Sequence, residues 1–218
     1  VSENVKEAFS AKFGLTERVH VAYNMLDEQA IRRRKNEPVD DIPKGEFLMV
    51  SVGSLIPRKG FERLIHICGL LKSRGYRFHL LILGKGELYE QLAEQVIDEH
   101  LLDNVQLLGF RDNPYPYMAA ADLYVCPSYV ERFSTVVSEA VVLETPVVTT
   151  DCSGMREILG DSEYGLITRN TEESLFEGLR TMLDKPEVYQ YYQQRVRERA
   201  PFFYMEERLK AYEEILDQ

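Results

Sequence analysis

Residues 47–73 read FLMVSVGSLIPRKGFERLIHICGLLKS, in which a short apolar run, a basic turn and a longer amphipathic run follow one another. The apolar run Phe47–Val52 has the length and composition of a strand that is buried on both faces of a sheet. The run Glu62–Lys72 has the pattern of a helix with one apolar face. A buried strand, a turn and a helix in this order predict a βαβ unit and a parallel sheet.

The same alternation continues beyond this stretch. Short, mostly apolar runs predict further strands at Phe78–Leu83, Val105–Leu108, Leu123–Cys126, Val147–Thr150 and Gly165–Thr168. Amphipathic runs between them predict helices at Glu87–Glu99, Tyr115–Ala121, Thr135–Leu143 and Met155–Leu159. We therefore predict an α/β fold with a doubly wound, parallel, six-stranded Rossmann-like sheet.

The two ends of the chain depart from this alternation. Residues 1–23 predict a helix that ends at Gly14 and then a lone strand at His20–Tyr23, and a polar linker follows through Lys44. After Thr171 the pattern predicts only additional helices, at Glu172–Leu183, Pro186–Arg199 and Met205–Leu216.

These ends suggest a division of the chain into parts. A lone strand needs a sheet to join, so we expect residues 1–44 to derive from a second domain that is missing. Residues 45–200 would form the Rossmann-like domain, and residues 201–218 a C-terminal helix. A self-contained domain with an N-terminal appendage is the alternative.

The charge balance of the 218-residue chain is acidic, with 36 Asp and Glu against 26 Lys and Arg. An acidic chain lacks the positive field that binds nucleic acid phosphates, so we expect no nucleic acid partner. The one dense basic run is Arg32–Lys35, and Glu28, Glu37 and Asp40 flank it. We interpret this run as a solvated helix end, with an interface or a membrane-facing patch as the alternative.

The cysteines and histidines argue against disulfides and metal sites. Cys68, Cys126 and Cys152 are widely separated, which is typical of reduced thiols in a cytoplasmic protein. The four histidines have no metal-ligand spacing among themselves or with the cysteines, so we expect no bound metal. No apolar run approaches the ~20 residues of a membrane-spanning helix, and no signal-peptide pattern is present. We expect a soluble protein.

A first candidate site follows the strand Phe47–Val52. The carboxyl ends of parallel strands are where ligands bind in open α/β sheets. Gly53 has no side chain, so a ligand could approach its backbone closely. Arg58 and Lys59 are adjacent cations beside a helix N-terminus, which carries partial positive charge and free N–H groups. This combination suits a diphosphate; two surface cations after a turn are the alternative.

A second candidate site follows the strand Leu123–Cys126. Ser134 or Thr135 is a suitable N-cap for the next helix, whose first N–H groups could receive a phosphate oxygen. Glu131 precedes that helix and Glu139 lies within it, among apolar residues. Each carboxylate can accept hydrogen bonds from a pair of neighbouring hydroxyls, and sugars and ribose present such pairs. A solvated helix residue is the alternative for Glu139.

Together these segments resemble the C-terminal domain of a family 4 glycosyltransferase of the GT-B fold superfamily. The stretch Gly53-Ser54-Leu55 with Arg58-Lys59-Gly60 resembles the phosphate-binding segment of that family. Glu131 and Glu139, with seven residues between them, resemble its paired-glutamate motif, and Thr145-Pro146-Val147-Val148 continues the match. The resemblance covers essentially the whole chain, and its motifs are specific jointly, because they occur in the expected order.

The resemblance implies a role for each matching residue. Arg58 and Lys59 would bind the donor diphosphate and stabilise it as the leaving group, and Glu131 would contact the transferred sugar; these three form the implied catalytic set. Glu139 would bind the ribose hydroxyls. Further residues implied in nucleotide-sugar binding are Gly53, Gly84, Phe110, Arg111, Phe133, Ser134 and Thr135.

The resemblance also implies an activity. A hexosyl group would move, with retention of configuration, from a UDP- or GDP-sugar to a glycan or lipid-linked acceptor in bacterial cell-surface polysaccharide synthesis. No metal and no other cofactor would be required. The missing domain would bind the acceptor, and the full-length enzyme could associate peripherally with the membrane. We expect residues 1–218 alone to bind a nucleotide but transfer no sugar.

The sequence departs from the family pattern at three places. The family commonly has Gly where this chain has Arg132, and often Gly at Ser134. If the Arg132 position required a positive φ, a residue other than Gly would cost about 1–2 kcal/mol there. The Asn-Gly pair that usually follows the linker strand is Asn24-Met25 in this chain.

Two other functions compete with this interpretation. A nicotinamide-dependent dehydrogenase would need G-x-G-x-x-G after the first strand, and the near match at residues 84–89 follows the second strand and lacks the third glycine. A non-catalytic nucleotide-binding module is the second competitor. The paired glutamates argue against it, because a nucleotide alone does not need Glu131.

Overall fold

Six parallel strands form the sheet at the centre of the computed structural model, which describes residues 2–14 and 19–216. The strands are β1 Phe47–Val52, β2 Phe78–Leu83, β3 Val105–Gly109, β4 Leu123–Cys126, β5 Val147–Thr150 and β6 Leu166–Thr168. Their order is β3-β2-β1-β4-β5-β6, and every neighbouring pair is parallel. The predicted doubly wound Rossmann-like sheet is confirmed.

Helices cover both faces of this sheet. They are α1 Glu3–Phe13, α2 Glu28–Arg34, α3 Phe61–Ser73, α4 Tyr89–Asp98, α5 Tyr115–Ala120, α6 Thr135–Val142, α7 Met155–Leu159, α8 Glu172–Asp184, α9 Pro186–Arg199 and α10 Met205–Leu216. Short 3₁₀ turns occupy Pro57–Lys59 and Ala200–Phe203. None of the helices in the described part of the chain has the length and apolar character that crossing a bilayer requires.

The core divides into two layers because side chains alternate along each strand. Leu48 and Val50 of β1 pack with α2, α5, α6, α7 and α9 on one face, whereas Met49 packs with α3, α4 and α8 on the other. All four residues of β4 and of β5 are buried. Strands that are covered on both faces must be apolar along their whole length, which is the pattern that predicted them.

The N-terminal part of the chain confirms one prediction and corrects another. Helix α1 ends at Gly14, which adopts a left-handed conformation with φ of 67°. The predicted strand at His20–Tyr23 is wrong, since the described residues 19–25 form no strand. Tyr23 packs through its side chain instead: its ring lies 6.0 Å from that of Phe202, and its carbonyl accepts a hydrogen bond from the Tyr212 hydroxyl.

The polar linker predicted through Lys44 contains helix α2. Asp27 caps this helix by accepting a hydrogen bond from the Ala30 N–H at 2.8 Å. Ile31 then anchors the helix, because it is buried in the layer that contains α6. The basic run is the last turn of α2, so its interpretation as a helix end is correct.

The sheet order creates a switch point between β1 and β4. The chain leaves β1 toward α3 on one face and leaves β4 toward α6 on the other, so a crevice opens where the two loops separate. Gly60 brings the loops together at the base of this crevice. Its φ is 67°, and a Cβ atom there would lie 2.2 Å from the carbonyl oxygen of Pro127.

We expect Gly60→Ala to destabilise the protein more than the matched variant Gly75→Ala. Gly75 also has a positive φ, of 83°, but has open space around it, so its substitution should cost about 1–2 kcal/mol of unfolding free energy through backbone strain alone. Gly60→Ala should lose a further ~1–3 kcal/mol, because the new methyl group must displace the Pro127 backbone. Urea denaturation measures both; equal losses would contradict the close approach of the two loops.

Candidate functional site

A cavity of about 310 Å³ lies at the carboxyl ends of β1 and β2 and reaches α6. Five of the predicted site residues line it: Gly53, Gly84, Phe110, Arg111 and Glu139. The remaining lining residues are Val52, Ser54, Leu83, Lys85, Asp112, Pro114 and Val136. These residues come from the ends of β1 and β2, the three loops after β1, β2 and β3, and helix α6, and the parallel sheet brings them together because the carboxyl ends of its strands share one edge.

Two glycines allow the loops after β1 and β2 to pack against each other. A Cβ atom on Gly84, where φ is 157°, would lie 1.8 Å from the Gly53 carbonyl oxygen. A Cβ atom on Gly86 would lie 2.3 Å from the Leu55 carbonyl oxygen. The Leu55 N–H donates a hydrogen bond to the Lys85 carbonyl at 3.0 Å across this contact. The floor of the cavity is therefore fixed by backbone packing.

Lys59 and Glu131 form a charged pair beside this cavity. The Lys59 Nζ atom contacts Glu131 Oε1, and the Ser128 hydroxyl donates to the same oxygen at 2.8 Å. Arg58 Nη1 lies 3.9 Å from Glu131 Oε2. Glu131 is 7% exposed and Lys59 16%, whereas Arg58 is 52% exposed. The structure thus brings the three residues of the implied catalytic set together, with Arg58 reaching toward solvent.

Buried Arg63 locks the loop that carries Glu131. Its side chain is 3% exposed, and Nε donates to the Pro127 carbonyl at 2.6 Å. The guanidinium also lies 3.9 Å from the centroid of the Tyr129 ring and donates to Asn170 Oδ1 at 2.9 Å. Burial lowers the pKa of Arg63 from its ordinary value. Sequence reasoning missed this residue, although a cation within the apolar start of α3 was the signal.

Backbone hydrogen bonds join the same two loops directly. The N–H groups of Tyr129 and Val130 both point at the Arg58 carbonyl, at 2.9 and 3.4 Å. The basic turn after β1 and the loop after β4 therefore form one unit. The relative positions of the Arg58, Lys59 and Glu131 side chains follow from this pairing of main chains.

Glu139 enters the site from α6. The Tyr115 hydroxyl donates a hydrogen bond to Glu139 Oε1 at 3.0 Å. Burial raises the pKa of Glu139, and the Tyr115 hydrogen bond acts in the opposite direction. Burial and the neighbouring Glu139 raise the pKa of Tyr115 to about 12, so this phenol is protonated at neutral pH and serves as the donor. Sequence reasoning did not identify Tyr115.

The start of α6 contains the other predicted contact residues. Ser134 is the N-cap, and its hydroxyl accepts a hydrogen bond from the Val137 N–H at 3.4 Å. Thr135 follows as an exposed first residue of the helix. The Phe133 ring stacks on the Tyr23 ring with centroids 5.3 Å apart, so one face of the Phe133 ring is covered.

Arg132 carries none of the strain that a positive φ would impose. Within the described residues, those other than glycine with positive φ are His100, Glu144 and Ser162. Gly154 makes room for the Arg132 backbone instead, since a Cβ atom on Gly154 would lie 2.4 Å from the Arg132 carbonyl oxygen.

Phe110 and Arg111, which line the cavity after β3, differ in how freely they could contact a ligand. Phe110 is 59% exposed, and the Lys85 ammonium lies 4.8 Å from the centroid of its ring. Arg111 is held in place: its guanidinium donates to Asp41 Oδ2 at 3.0 Å and to the Tyr117 hydroxyl at 3.2 Å. A planar group could stack on Phe110. Arg111 could donate to a ligand only with the N–H groups that do not already bond Asp41 and Tyr117.

Within residues 2–14 and 19–216 no group of three or more His, Cys, Asp or Glu side chains is arranged to hold a metal ion. All three cysteines are free and buried. The expectation that the site works without a metal stays a prediction.

Comparison with known proteins identifies relatives of this chain. A family profile described as glycosyl transferases group 1 matches residues 32–199. The chain is 35% identical over 185 residues to the N-acetylgalactosamine-N,N'-diacetylbacillosaminyl-diphospho-undecaprenol 4-alpha-N-acetylgalactosaminyltransferase of Campylobacter jejuni, covering 84% of this chain and 49% of that protein. It is 32% identical over 162 residues to the lipopolysaccharide glucosyltransferase WaaG of Escherichia coli, covering 72% and 41%.

A solved structure shares the whole fold. The crystal structure of Anabaena Alr3699/HepE in complex with UDP superposes with a TM-score of 0.83 at 23% identity, covering 99% of this chain and 62% of that one. The chain spans about half the length, or less, of the curated relatives that it matches.

The charged pair can be tested through its contribution to stability. Lys59→Met should lower the unfolding free energy by about 3 kcal/mol, because it leaves the buried Glu131 carboxylate with only the distant, exposed guanidinium of Arg58. Adding Glu131→Gln to that variant should recover most of the loss. The exposed cation Arg156 provides a control, since Arg156→Met should cost no more than about 1 kcal/mol. Additive effects of the two substitutions in a double-mutant cycle would show that Lys59 and Glu131 are not coupled.

Proposed function

The chain belongs to the glycosyl transferases group 1 family, and we propose that it is the nucleotide-sugar-binding part of a retaining glycosyltransferase. The proposed reaction moves a hexosyl group from a UDP- or GDP-sugar to a glycan or lipid-linked acceptor. One observation carries the proposal: the charged cluster of Arg58, Lys59 and Glu131 adjoins, through the contact of Lys59 with Gly53, the cavity that Glu139 lines.

The cations suit a diphosphate leaving group. Departure of a nucleoside diphosphate builds negative charge on its phosphate oxygens, and preorganised donors stabilise that charge without reorganising. Arg58 and Lys59 lie on a turn that is fixed to the neighbouring loop, and the N-terminus of α6 faces the same edge of the sheet. We propose that these groups take the role that a metal ion has in other transferases, so no metal is required.

The carboxylates suit the two sugars of such a donor. Glu139 and Phe110 line the same cavity, so a ribose bound by Glu139 would place its base toward the exposed Phe110 ring. Glu131 lies beside Lys59, on the side where the transferred sugar would extend from the diphosphate. A nucleotide alone offers no sugar for Glu131 to contact, so we infer that a transferase accounts for this carboxylate better than a simple nucleotide-binding module does.

The names of the relatives support the substrate class. They include enzymes of lipopolysaccharide, capsular polysaccharide and amylovoran biosynthesis, and one acts on a diphospho-undecaprenol compound. The related Anabaena structures contain UDP, UDP with glucose, or UDP-glucose. We therefore propose a role in bacterial cell-surface polysaccharide synthesis, with the acceptor bound by a further domain in a protein of the relatives' length.

Ligand-induced thermal stabilisation tests donor binding in this chain. We expect UDP or GDP to raise the Tm and NAD to leave it unchanged, because saturation at 100-fold excess over Kd adds about 2.7 kcal/mol to the unfolding free energy. ADP serves as a comparison for base selectivity. Stabilisation by NAD alone would overturn the proposal.

The role of Lys59 can be measured in a family-length protein that carries this chain. Lys59→Ala should lower kcat on the order of 10²–10³-fold, because it removes a preorganised donor to the leaving phosphate. Lys44→Ala is the control, since Lys44 is exposed and lies outside the cleft. Near-normal turnover of the Lys59 variant would contradict its assignment to the leaving group.

A further inference from the structure

The carboxylate of Glu139 is held by one hydrogen bond from a residue that no motif includes. Among the described residues, Tyr115 is the one side chain that donates to it, through Oε1 at 3.0 Å. An ionised carboxylate accepts at two oxygens. The bond to Oε1 therefore restrains the carboxylate and, among the described residues, leaves Oε2 without a side-chain donor, while Glu139 lines the cavity.

Tyr115 is itself clamped by the last turn of α2. The Arg34 guanidinium lies 5.6 Å from the centroid of the Tyr115 ring and donates to Asp112 Oδ2 at 2.8 Å and to the Asp112 carbonyl at 3.0 Å. In return, Asn113 Nδ2 donates to the Arg34 carbonyl at 2.8 Å. The Tyr115 N–H donates to Asn113 Oδ1 at 3.3 Å. The loop that precedes Tyr115 is thus fastened to α2 through Asp112 and Asn113.

We propose that Tyr115 is a positioning residue for Glu139, and that Arg34 of the basic run acts through Tyr115 to orient the carboxylate toward the hydroxyl pair of a ribose. This inference rests on the proposed function of the site. It assigns a role in donor binding to Arg34, the residue of the basic run that contacts the Tyr115 ring.

The positioning has a chemical consequence for the proton on Glu139. A protonated carboxyl group donates at one oxygen and so loses part of its capacity to accept from two hydroxyls. Burial raises the pKa of Glu139, and the Tyr115 hydrogen bond holds it lower. Tyr124 of β4 also interacts with Glu139, and burial raises the pKa of Tyr124 far enough to keep it neutral. The charged residues Lys85, Arg111 and Asp112 line the same cavity, and Arg34 lies behind the Tyr115 ring.

The direction of the pH effect follows from these contributions. Removing the Tyr115 hydroxyl removes the interaction that lowers the pKa of Glu139, so its pKa rises further. On acidification, affinity for a ribonucleotide should then fall at a higher pH in the variant than in the wild type. If Tyr115 served only to pack α5 against α6, removing its hydroxyl would not change the pH at which affinity falls.

Tyr115→Phe tests the inference, because it keeps the ring and its contact with Arg34 and removes only the donor. Calorimetry should be performed with UDP and GDP, and with 2'-deoxy-UDP and 2'-deoxy-GDP, from pH 5 to 8. We expect the variant to lose about tenfold in affinity for the ribonucleotide at pH 7 and much less for the deoxy analogue. The ratio of the affinities for the ribonucleotide and its deoxy analogue should therefore decrease. The fall of ribonucleotide affinity on acidification should occur at a higher pH than in the wild type.

Two variants of α2 separate positioning from general damage. Arg34→Gln retains the Tyr115 hydroxyl and should reduce the ribose preference in the same direction, whereas the exposed neighbour Arg33 should tolerate Arg33→Gln without change. Suppose that the wild type binds UDP or GDP, and that Tyr115→Phe leaves both the ribose preference and the pH dependence of affinity unchanged. This result would overturn the inference about Tyr115 but not the proposed function. Failure of the wild type to bind any of the four nucleotides would overturn the proposed function as well.

Discussion

Strands β1 and β4 lie side by side although β2 and β3 separate them in the sequence, and the chain leaves them toward opposite faces of the sheet. Everything in the candidate site depends on this adjacency. It places the basic turn of Arg58 and Lys59 against the loop of Glu131, and it opens the crevice that Glu139 enters from α6. Gly60 is the residue that permits the close approach, because no side chain fits between the turn and Pro127.

The electrostatics of the site follow from that geometry. A carboxylate as buried as Glu131 is costly unless a cation and hydrogen-bond donors surround it, and Lys59 and Ser128 provide both. The pair is neutral overall, which leaves the exposed guanidinium of Arg58 as the cation that a diphosphate would meet first. On the proposed function, Lys59 would keep this contact with Glu131 and donate its remaining N–H groups to a bound diphosphate, so the pair would not have to rearrange.

The sheet could be predicted from the sequence, because its strands carry a local pattern. The contacts that hold the site residues in place could not, because they join residues distant in the chain. Strands covered on both faces are apolar throughout, and loops at their carboxyl ends share an edge, so β1 to β6 and the convergence of Lys59 with Glu131 could be foreseen. The apolar pattern at His20–Tyr23 does not distinguish a strand from an extended segment that packs through an aromatic ring. The roles of Arg63 and Tyr115 depend on partners distant in the chain, which no local pattern reveals.

The hydrogen bonds from the Tyr129 and Val130 N–H groups to the Arg58 carbonyl have a consequence for how such domains recombine. A chimera of two relatives with its crossover between residues 60 and 127 would combine a basic turn from one parent with a glutamate loop from the other. The hydrogen bonds between the two loops would then join backbones from different parents, whose conformations need not match. Functional chimeras should therefore keep residues 53–139 from a single parent, so that both loops come from one sequence.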